Sequence, residues 1–410
     1  MNFKIVVVGF SGEFLPSGLA ALKRLHRVLV SHELLEAVHL AAPELSELLS
    51  PYRRFSEALE ALEEARKEDR PLGLVASGDP LFFGAGRVLV RRFGKERVAL
   101  YPAPSFAQKA LARLGYPLED YFFVSLHGGK RAFGLEDLPG LLRLYGKVGV
   151  FTDPDLGPRE MARFLVEKES AEGVTLIVAQ RVGLPGEAFW QGSPEEALRK
   201  DFAYPHLVFL HYEGPGRERG LGLSTAEISH PRGLITKEEV RAVVLHALRL
   251  PERGVLWDIG AGAGGVSVEA ARAFPLLRVF SVERSPEALD HLRKNRRRLG
   301  LFNLEVVAGE APEALEGLPT PDRVFIGGSG GRLEEILDLA LERSRGPVVL
   351  TLVLLSHLHR VLALARRRAF SPKLSQISVC RARPLGPDLA LFPETPVFVV
   401  SLEPEDGGKG

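Results

Sequence analysis

Short runs of apolar and β-branched residues alternate with longer amphipathic stretches along most of the chain. This alternation predicts the repeated strand and helix units of an α/β fold, in which buried sheets are largely parallel. The segment 212–223 breaks the pattern, because it is polar, rich in Gly and Pro, and without apolar periodicity. Such composition is typical of a linker. We therefore predict two domains, at 1–212 and 233–410, joined by a linker at 213–232.

The apolar runs also locate the individual elements. In the first half, strands are predicted at 5–9, 27–31, 73–76, 98–101, 122–125, 148–152, 175–179 and 207–212, and helices at 56–68, 86–93, 106–114, 139–144 and 158–168. In the second half, a helix is predicted at 237–248 and strands at 254–259, 278–283, 304–307, 323–326 and 347–354, followed by closing strands at 374–380 and 396–402. We expect the two closing strands to be antiparallel.

Composition restricts the class of protein. Lys and Arg number 53 and Asp and Glu 52, which gives a formal net charge of +1. A charge this small does not favour binding to nucleic acid or to a membrane surface. The single cysteine, Cys380, excludes an intrachain disulfide and favours a reducing compartment. The sequence lacks a signal-peptide cleavage region and the roughly 20-residue apolar run of a membrane-spanning helix. We expect a soluble cytoplasmic protein without nucleic-acid or membrane partners.

A glycine-rich loop follows the strand predicted at 254–259 and precedes a helix. It consists of Gly260, Ala261, Gly262, Ala263 and Gly264. Glycines here let the backbone approach a ligand closely, while the helix directs its N-terminal amides toward it. With Gly265 the loop also fits the G-x-G-x-x-G pattern of dinucleotide sites, so a nicotinamide cofactor is one alternative.

Acidic residues at three successive strand ends favour S-adenosylmethionine (SAM) over a dinucleotide. Asp258 suits a sulfonium or amino group but would repel a pyrophosphate, Glu283 is placed to accept ribose hydroxyls, and Glu310 to accept the adenine amino group. Each acid also has a simpler explanation. Glu283 could pair with Arg284 on the surface, and Glu310 could be a first-turn acid of a helix at 311–315.

Four stretches of the second half carry a family resemblance: 233–241, 258–265, 309–315 and 324–337, the last containing Gly-Gly-Ser-Gly-Gly at 327–331. Together they resemble the corrin C15-methyltransferase and decarboxylase family (CbiT), which implies a Rossmann-like SAM-dependent methyltransferase domain. The resemblance implies donor contacts at Thr236, Gly260–Gly264, Glu283 and Ala311. Asp258, Arg284 and Glu310 are further candidates for the donor site, and Ser329, Gly330 and Arg332 are substrate-side candidates. Two positions depart from the family: Glu310 replaces a shorter acid, and Ser356 stands where an acid is expected.

The first half contains a second candidate site, the tight turn Gly78-Asp79-Pro80 after a strand. Alone, this turn is equally well explained as a type I turn with a side-chain cap. The stretches 6–12, 74–84, 101–106, 124–128 and 205–210 together resemble the tetrapyrrole methylase family, in its C5 corrin branch (CbiE). That family implies two α/β subdomains with SAM in the cleft between them. The candidate donor-binding residues of this half are Gly9, Gly78, Asp79, Pro80, Phe82 and Ser105.

The first loop of this half departs from the family pattern, because Gly9-Phe-Ser-Gly-Glu-Phe14 has fewer glycines than the family's Gly-x-Gly-Pro-Gly and carries Glu13. His127, which follows a predicted strand, is a substrate-side candidate, and a hydrogen-bonded structural histidine is the alternative.

The two resemblances cover nearly the whole chain and imply a fusion of two activities. The implied reaction is SAM-dependent methylation of a corrin precursor at C5 and C15, with decarboxylation of the ring C acetate, in cobalamin biosynthesis. Such methyl transfer requires alignment of the reactants and no nucleophilic side chain. Lys130, Arg131 and Arg332 are candidate anchors for the substrate's carboxylates, whereas the basic run 294–298 is more typical of a solvated helix face. We expect no protein metal site, so any cobalt would arrive with the substrate.

Two other functions are compatible with parts of the pattern. Only the second half could be catalytic, with the first half a binding or assembly module. A nucleic-acid methyltransferase is the other, although balanced charge and the lack of an aromatic and basic patch argue against it. The sequence does not distinguish a metal-free from a cobalt-containing substrate. The resemblance to the C15 family implies a homo-oligomer.

Overall fold

The computed structural model describes residues 3–127, 132–214, 220–231 and 235–404. These residues form two compact units. The first unit comes from Met1–Glu136 and Tyr145–Tyr212, and the second from Asp137–Leu144 and Glu213–Gly410. Within the described ranges, no helix is long and apolar enough to cross a membrane.

The strands of the first half are β1 (Ile5–Phe10), β2 (Val28–Ser31), β3 (Leu49–Tyr52), β4 (Leu72–Ser77), β5 (Val98–Tyr101), β6 (Phe122–Ser125), β7 (Lys147–Phe151), β8 (Val174–Gln180), β9 (Ala188–Gly192) and β10 (His206–Tyr212). Its helices are α1 (Pro16–Leu22), α2 (His32–Ala41), α3 (Phe55–Lys67), α4 (Gly86–Phe93), α5 (Phe106–Leu114), α6 (Leu138–Tyr145), α7 (Pro158–Glu167) and α8 (Pro194–Ala197).

The first unit contains two five-stranded sheets. The first sheet is parallel, in the order β3-β2-β4-β1-β5. Its central strands are buried on both faces, where α3 and α4 cover Ile5, Val7 and Leu74, and α1 and α2 cover Val8 and Val75. Burial on both faces explains the continuous apolar runs in the sequence. The second sheet has the order β6-β7-β10-β8-β9, with β6 and β7 parallel and β10 antiparallel to both of its neighbours.

The strands of the second half are β11 (Arg253–Ile259), β12 (Leu276–Glu283), β13 (Leu304–Ala308), β14 (Arg323–Ile326), β15 (Val348–Leu352), β16 (Phe370–Ile377), β17 (Cys380–Leu385), β18 (Asp388–Pro393) and β19 (Val397–Pro404). Its helices are α9 (Glu238–Leu248), α10 (Gly265–Ala273), α11 (Pro286–Arg298), α12 (Leu333–Arg343) and α13 (Leu355–Arg367).

The second unit is built on a seven-stranded sheet in the order β13-β12-β11-β14-β15-β19-β16. Strands β11 to β15 are parallel, and β19 runs antiparallel to both β15 and β16. The expected antiparallel closing strands are therefore confirmed. The strand order reverses direction between β11 and β14, and open α/β sheets bind ligands at such a switch point. Both glycine-rich motifs of this half follow these two strands.

The structure differs from the predicted boundaries in two places. Residues 137–144 fall in the predicted first domain but pack into the second unit, where buried Arg143 donates hydrogen bonds to the Ala271 carbonyl and the Asn303 side chain, each at 3.0 Å. The described part of the predicted linker, 220–231, also packs there, because Leu223 and Ile228 enter the core. Both segments are short apolar stretches flanked by polar residues, and such a pattern does not indicate which unit a segment packs against.

Candidate active sites

The two glycine-rich loops of the second half meet at the carboxyl ends of β11 and β14. The Gly327 amide donates to the Ile259 carbonyl at 2.9 Å. Gly260 has φ +67°, and a Cβ there would lie 2.4 Å from the Gly328 carbonyl oxygen. Glycine is required at position 260 both for this backbone conformation and for this close approach. Two motifs that are distant in the sequence therefore form one continuous backbone surface.

The glycine loop borders open space on one side, and on the other side it leads into the N-terminus of α10. Gly262 has φ +58°, and no atom lies within 4 Å of the position its Cβ would take. Gly264, with φ +85°, is the N-cap of α10. Ala261 is part-buried and Ala263 is buried, and Thr236 reaches the start of α10, its amide 3.7 Å from the Cβ position of Gly265. The structure thus brings Thr236 to the predicted loop.

Glu283 holds the glycine loop in place. One carboxylate oxygen accepts the Gly262 amide at 2.8 Å, and the other accepts the amides of Arg284 and Ser285, also at 2.8 Å. A carboxylate offers about four lone-pair sites, so about one is left for a ligand hydroxyl. The contact of Glu283 with a ribose stays a prediction, while its loop-holding role is a feature that sequence reasoning missed.

Glu310 is paired with Arg284 rather than isolated. The two side chains form a salt bridge of 2.7 Å, and both are about half exposed. The Arg284 guanidinium also lies 3.0 Å from the Cβ position of Gly330, on the second glycine-rich loop. Instead of the helix considered at 311–315, only a short 3-10 turn, Glu313–Leu315, follows, and Ala311 is buried. Arg284 therefore joins the end of β13 to the loop after β14.

Arg332, the predicted anchor for a substrate carboxylate, lies in an ion-pair cluster. Its guanidinium donates to Glu313 at 2.6 and 2.8 Å and to Glu335 at 2.6 and 3.2 Å. Its own amide donates to the Ser329 carbonyl at 2.9 Å, which closes the turn after the exposed Gly327 and Gly328. Because every nitrogen of the guanidinium has a partner, Arg332 holds the loop and would have to exchange partners to bind a ligand.

Asp258 is more deeply buried than the sequence predicted. Its side chain is fully enclosed, and one carboxyl oxygen accepts hydrogen bonds from the amide and the hydroxyl of Ser267 on α10. The other oxygen has no hydrogen-bond partner among the described residues. Burial raises the pKa of Asp258 to about 7, and the charge of Glu283 adds to the increase. Asp258 thus joins β11 to α10, and its contact with a ligand stays a prediction.

Asp258→Asn should flatten the dependence of stability on pH. Because the folded-state pKa lies above the unfolded value, the neutral carboxyl stabilises the fold, and this contribution is lost as pH rises from about 4 to about 7. Between pH 5 and pH 8 the wild type should lose about 2–3 kcal/mol more than the variant, since one pKa unit corresponds to about 1.4 kcal/mol. Urea unfolding of both proteins at the two pH values measures this difference. Parallel losses would contradict the raised pKa.

The first-half turn shows close backbone packing together with a side-chain cap. A Cβ on Gly9 would lie 2.5 Å from the Gly78 carbonyl oxygen, and the Gly78 amide donates to the Phe10 carbonyl at 2.7 Å. Asp79 accepts the amides of Leu81 and Phe82 at 2.8 and 3.1 Å. The capped turn, considered from sequence as the simpler explanation, is therefore present, with Pro80 buried beside it. The loop after β1 and the turn after β4 form one surface.

Lys109 lines a cavity of about 510 Å³ together with Asp79 and Gln108. Ser105 caps α5, because its hydroxyl accepts the Gln108 amide at 3.1 Å and its amide donates to the Gln108 side chain at 2.8 Å. Lys109 donates to the Ser11 carbonyl at 2.6 Å and to the Glu13 carboxylate at 2.8 Å. Sequence reasoning missed Lys109, whose only signal was the unpaired charge of Glu13 in the loop.

The carboxyl edges of the two sheets in the first unit face each other. A Cβ on Gly12, which has φ +93°, would lie 2.1 Å from the Gly183 carbonyl oxygen, in the loop after β8. Phe82 packs against Phe123 and Phe151 of the second sheet, with ring centroids 5.3 and 5.5 Å apart. The structure therefore brings Phe82 and the turn after β4 to the boundary between the two subdomains.

His127 lies at the same edge, directly after β6. Its side chain is 64 % exposed, and its Nδ1 is 3.7 Å from a carboxylate oxygen of Asp153. The other two candidate anchors, Lys130 and Arg131, lie outside the described residues.

Comparison with known proteins gives two family matches, one in each half of the chain. The family described as Tetrapyrrole (Corrin/Porphyrin) Methylases matches residues 16–198, and the family described as Precorrin methyltransferase domain matches residues 228–403. The chain is 33 % identical to a precorrin-6Y C(5,15)-methyltransferase [decarboxylating] of Sinorhizobium sp, over 88 % of this chain and 86 % of that protein. The predicted α/β fold, with a tetrapyrrole methylase domain followed by a Rossmann-like methyltransferase domain, is confirmed.

Shorter proteins match part of the chain. A cobalt-precorrin-6B C(15)-methyltransferase (decarboxylating) of Salmonella typhimurium is 41 % identical over 42 % of this chain and 90 % of its own length. A crystal structure described as precorrin-6y C5,15-methyltransferase from Geobacter metallireducens is 38 % identical, covers 45 % of this chain and 98 % of its own, and has a TM-score of 0.43.

Proposed function

Because the chain belongs to the family of precorrin-6Y C(5,15)-methyltransferases (decarboxylating), we propose that it methylates precorrin-6Y, or its cobalt-containing counterpart, at C5 and C15. In the same process it releases the carboxyl of the ring C acetate as CO2, in cobalamin biosynthesis. The observation that carries this proposal is similarity to one such enzyme along 88 % of the chain. We assign C15 methylation and decarboxylation to the second half and C5 methylation to the first, which follows the order of the two family matches.

We propose SAM as the methyl donor of both halves, since it supplies an electrophilic methyl group on a sulfonium. Two features of the second half fit such a ligand: the open space at Gly262 and the single free acceptor site of Glu283. In the first half, Gly9, Gly78 and the turn after β4 would hold it. The role of these residues is to orient the donor and exclude water, and orientation can lower a barrier by several kcal/mol.

For decarboxylation the macrocycle accepts the electron pair that CO2 leaves behind, and a cation of the protein would orient the acetate carboxylate. We propose Arg284 for this role instead of Arg332. Arg284 is 56 % exposed, pairs with a half-exposed Glu310, and lies against Gly330. A single, solvated salt bridge of this kind contributes little free energy. Arg284 can therefore exchange Glu310 for a substrate carboxylate more readily than Arg332 can leave its two partners.

The reaction itself tests the proposal. The purified full-length chain would be incubated with methyl-labelled SAM and either precorrin-6Y or its cobalt counterpart, and the products analysed by mass spectrometry and CO2 capture. We expect two added methyl groups and one CO2. The substrate that is converted faster, metal-free or cobalt-containing, identifies the metal state of the natural substrate. One methyl with CO2 would show that only the second half is catalytic. Neither product, or methylation of an RNA control instead, would overturn the proposal.

We also propose that the enzyme is a cytoplasmic homo-oligomer. The lone Cys380 fits a reducing compartment. The hairpin β17–β18 supports self-association, because Leu385, Leu389 and Leu391 are 62 to 72 % exposed, and clustered exposed leucines are typical of contact surfaces. Light scattering on the purified full-length chain should give a mass of at least twice the monomer's 44.9 kDa. A mass of one monomer would contradict self-association.

A further inference from the structure

His127 and Asp153 form a pair at the carboxyl edge of the second sheet. They follow β6 and β7, which are parallel neighbours, so both side chains emerge at the same edge. The Nδ1 of His127 is 3.7 Å from Oδ2 of Asp153, and the Asp153 side chain is only 18 % exposed. Oδ1 of Asp153 accepts the Asp155 amide at 3.1 Å. The carboxylate is therefore fixed by its own backbone turn, with its second oxygen directed at the imidazole.

A chain of contacts connects this pair to the turn after β4. The Leu126 amide, next to His127, donates to the Phe151 carbonyl at 2.8 Å. Phe151 in turn packs against Phe83 of that turn, with ring centroids 5.1 Å apart. The residue before His127 is thus connected through Phe151 to the loop that we propose to bind the methyl donor, and the Nε2 of His127 is the nitrogen that does not face Asp153.

C5 methylation needs a group that accepts a proton. The meso carbon uses its enamine electron pair to form the new bond to the methyl carbon, while the electron pair of the carbon–sulfur bond leaves with sulfur. The meso carbon then carries both a methyl group and its original hydrogen. Breaking that carbon–hydrogen bond returns its electron pair to the macrocycle and restores conjugation. The proton must move to a base within hydrogen-bond reach.

We propose that His127 is this base, accepting the C5 proton on Nε2, and that Asp153 is its positioning residue. The assignment rests on the proposed C5 activity of the first half. The carboxylate holds the neutral imidazole with its proton on Nδ1 and stabilises the imidazolium that forms, as in other paired histidines. A distance of 3.7 Å fits this role, because such contacts commonly tighten when substrate binds.

The surroundings of the pair support a polar reaction site. Tyr204 precedes β10 at the same edge, and burial, together with the charges of Glu33 and Asp153, raises its pKa to about 12. Its phenol therefore stays protonated and available as a donor at neutral pH. Asp153 thus faces His127 on one side and is close enough to Tyr204 for its charge to act on the phenol.

His127→Ala tests the assignment in the full-length enzyme, with the second half as an internal control. We expect the C5 rate to fall by about 10²–10³-fold, as is typical when a general base is removed, while C15 methylation and CO2 release continue unchanged. The loss should appear in kcat and not in KM, and SAM binding measured by calorimetry should be unaltered. Added imidazole should restore part of the C5 rate. Asp153→Asn should lower the C5 rate about tenfold without rescue by imidazole.

Control variants make the result decisive. His26→Ala removes another exposed histidine of the first unit and should change neither rate. His127→Gln keeps a polar side chain and replaces the alanine variant if that variant melts early. An unchanged C5 rate in His127→Ala, or a loss that imidazole does not restore, overturns the assignment. A wild type that never methylates C5 instead overturns the proposed function of the first half.

Discussion

Gly260→Ala should abolish C15 methylation and CO2 release while C5 methylation continues. The added methyl group would lie 2.4 to 2.7 Å from the backbone of Gly328, so the two glycine loops would have to separate. The left-handed conformation, φ +67°, adds about 1 kcal/mol or more of strain for alanine. Because a misplacement of about 1 Å can cost 10²-fold in rate, we expect at least that loss. Mass spectrometry of the product, with captured CO2, measures both activities in one reaction.

Gly386→Ala is the matched control for this experiment. Gly386 also has a positive φ, +64°, but no atom lies within 4 Å of its Cβ position. It sits in the hairpin turn between β17 and β18. This variant should lose a little stability and keep both activities. A Gly260→Ala enzyme with a normal C15 rate would show that the contact between the loops is not part of the active site.

Gly12→Ala should have the opposite effect, with loss of C5 methylation and normal C15 chemistry. At φ +93°, the new methyl group would lie 2.1 Å from the Gly183 carbonyl oxygen. Backbone atoms on both sides leave no flexible side chain to move, so the two sheets of the first unit would be forced apart at their facing edges. We expect a C5 rate reduced by about 10²-fold or more, measured as a product with one methyl group and normal CO2 release.

Gly94→Ala is the control that distinguishes backbone strain from the steric contact between residue 12 and Gly183. Gly94 has φ +85° and open space around its Cβ position, so alanine there adds backbone strain without a collision. Its C5 rate should match the wild type. If Gly12→Ala also retains the C5 rate, the packing of Gly12 on Gly183 does not shape the first site. If it loses C5 and C15 activity together, the two halves are not independent catalysts as proposed.

Much of the fold could be predicted because buried parallel strands leave a continuous apolar signal. The glycine loops were visible for a related reason: each follows such a strand and opens a helix or a turn. The two first-half strands that sequence reasoning missed, β3 and β9, lie at sheet edges. Strand β3 is short and contains Pro51, and neither strand contains a buried residue, so no buried face imposes a pattern on them.

An apolar run also misled the prediction at the end of β15. A strand was predicted through residue 354, but it ends at Leu352, and Val353 and Leu354 are more than half exposed. Hydrophobicity alone does not distinguish a buried strand end from apolar side chains left at the carboxyl edge of a sheet. That distinction depends on which neighbouring strands cover the segment.

The candidate sites were predictable as positions but not as contacts. Strand order placed Asp258, Glu283 and Glu310 at one sheet edge, because carboxyl ends of parallel strands meet there. Which partner each acid takes depends on rotamers and on residues distant in sequence. Ser267 for Asp258 and Lys109 for Glu13 are examples that spacing alone does not reveal.

The attachment of residues 137–144 to the second unit limits how this enzyme can be dissected. A truncated protein beginning at residue 213 would lack Arg143 and leave the Ala271 carbonyl and the Asn303 side chain without that donor. It would also uncover the surface at Pro275 against which Gly140 packs. Producing either half alone therefore calls for a rearranged gene in which this octapeptide travels with the downstream portion.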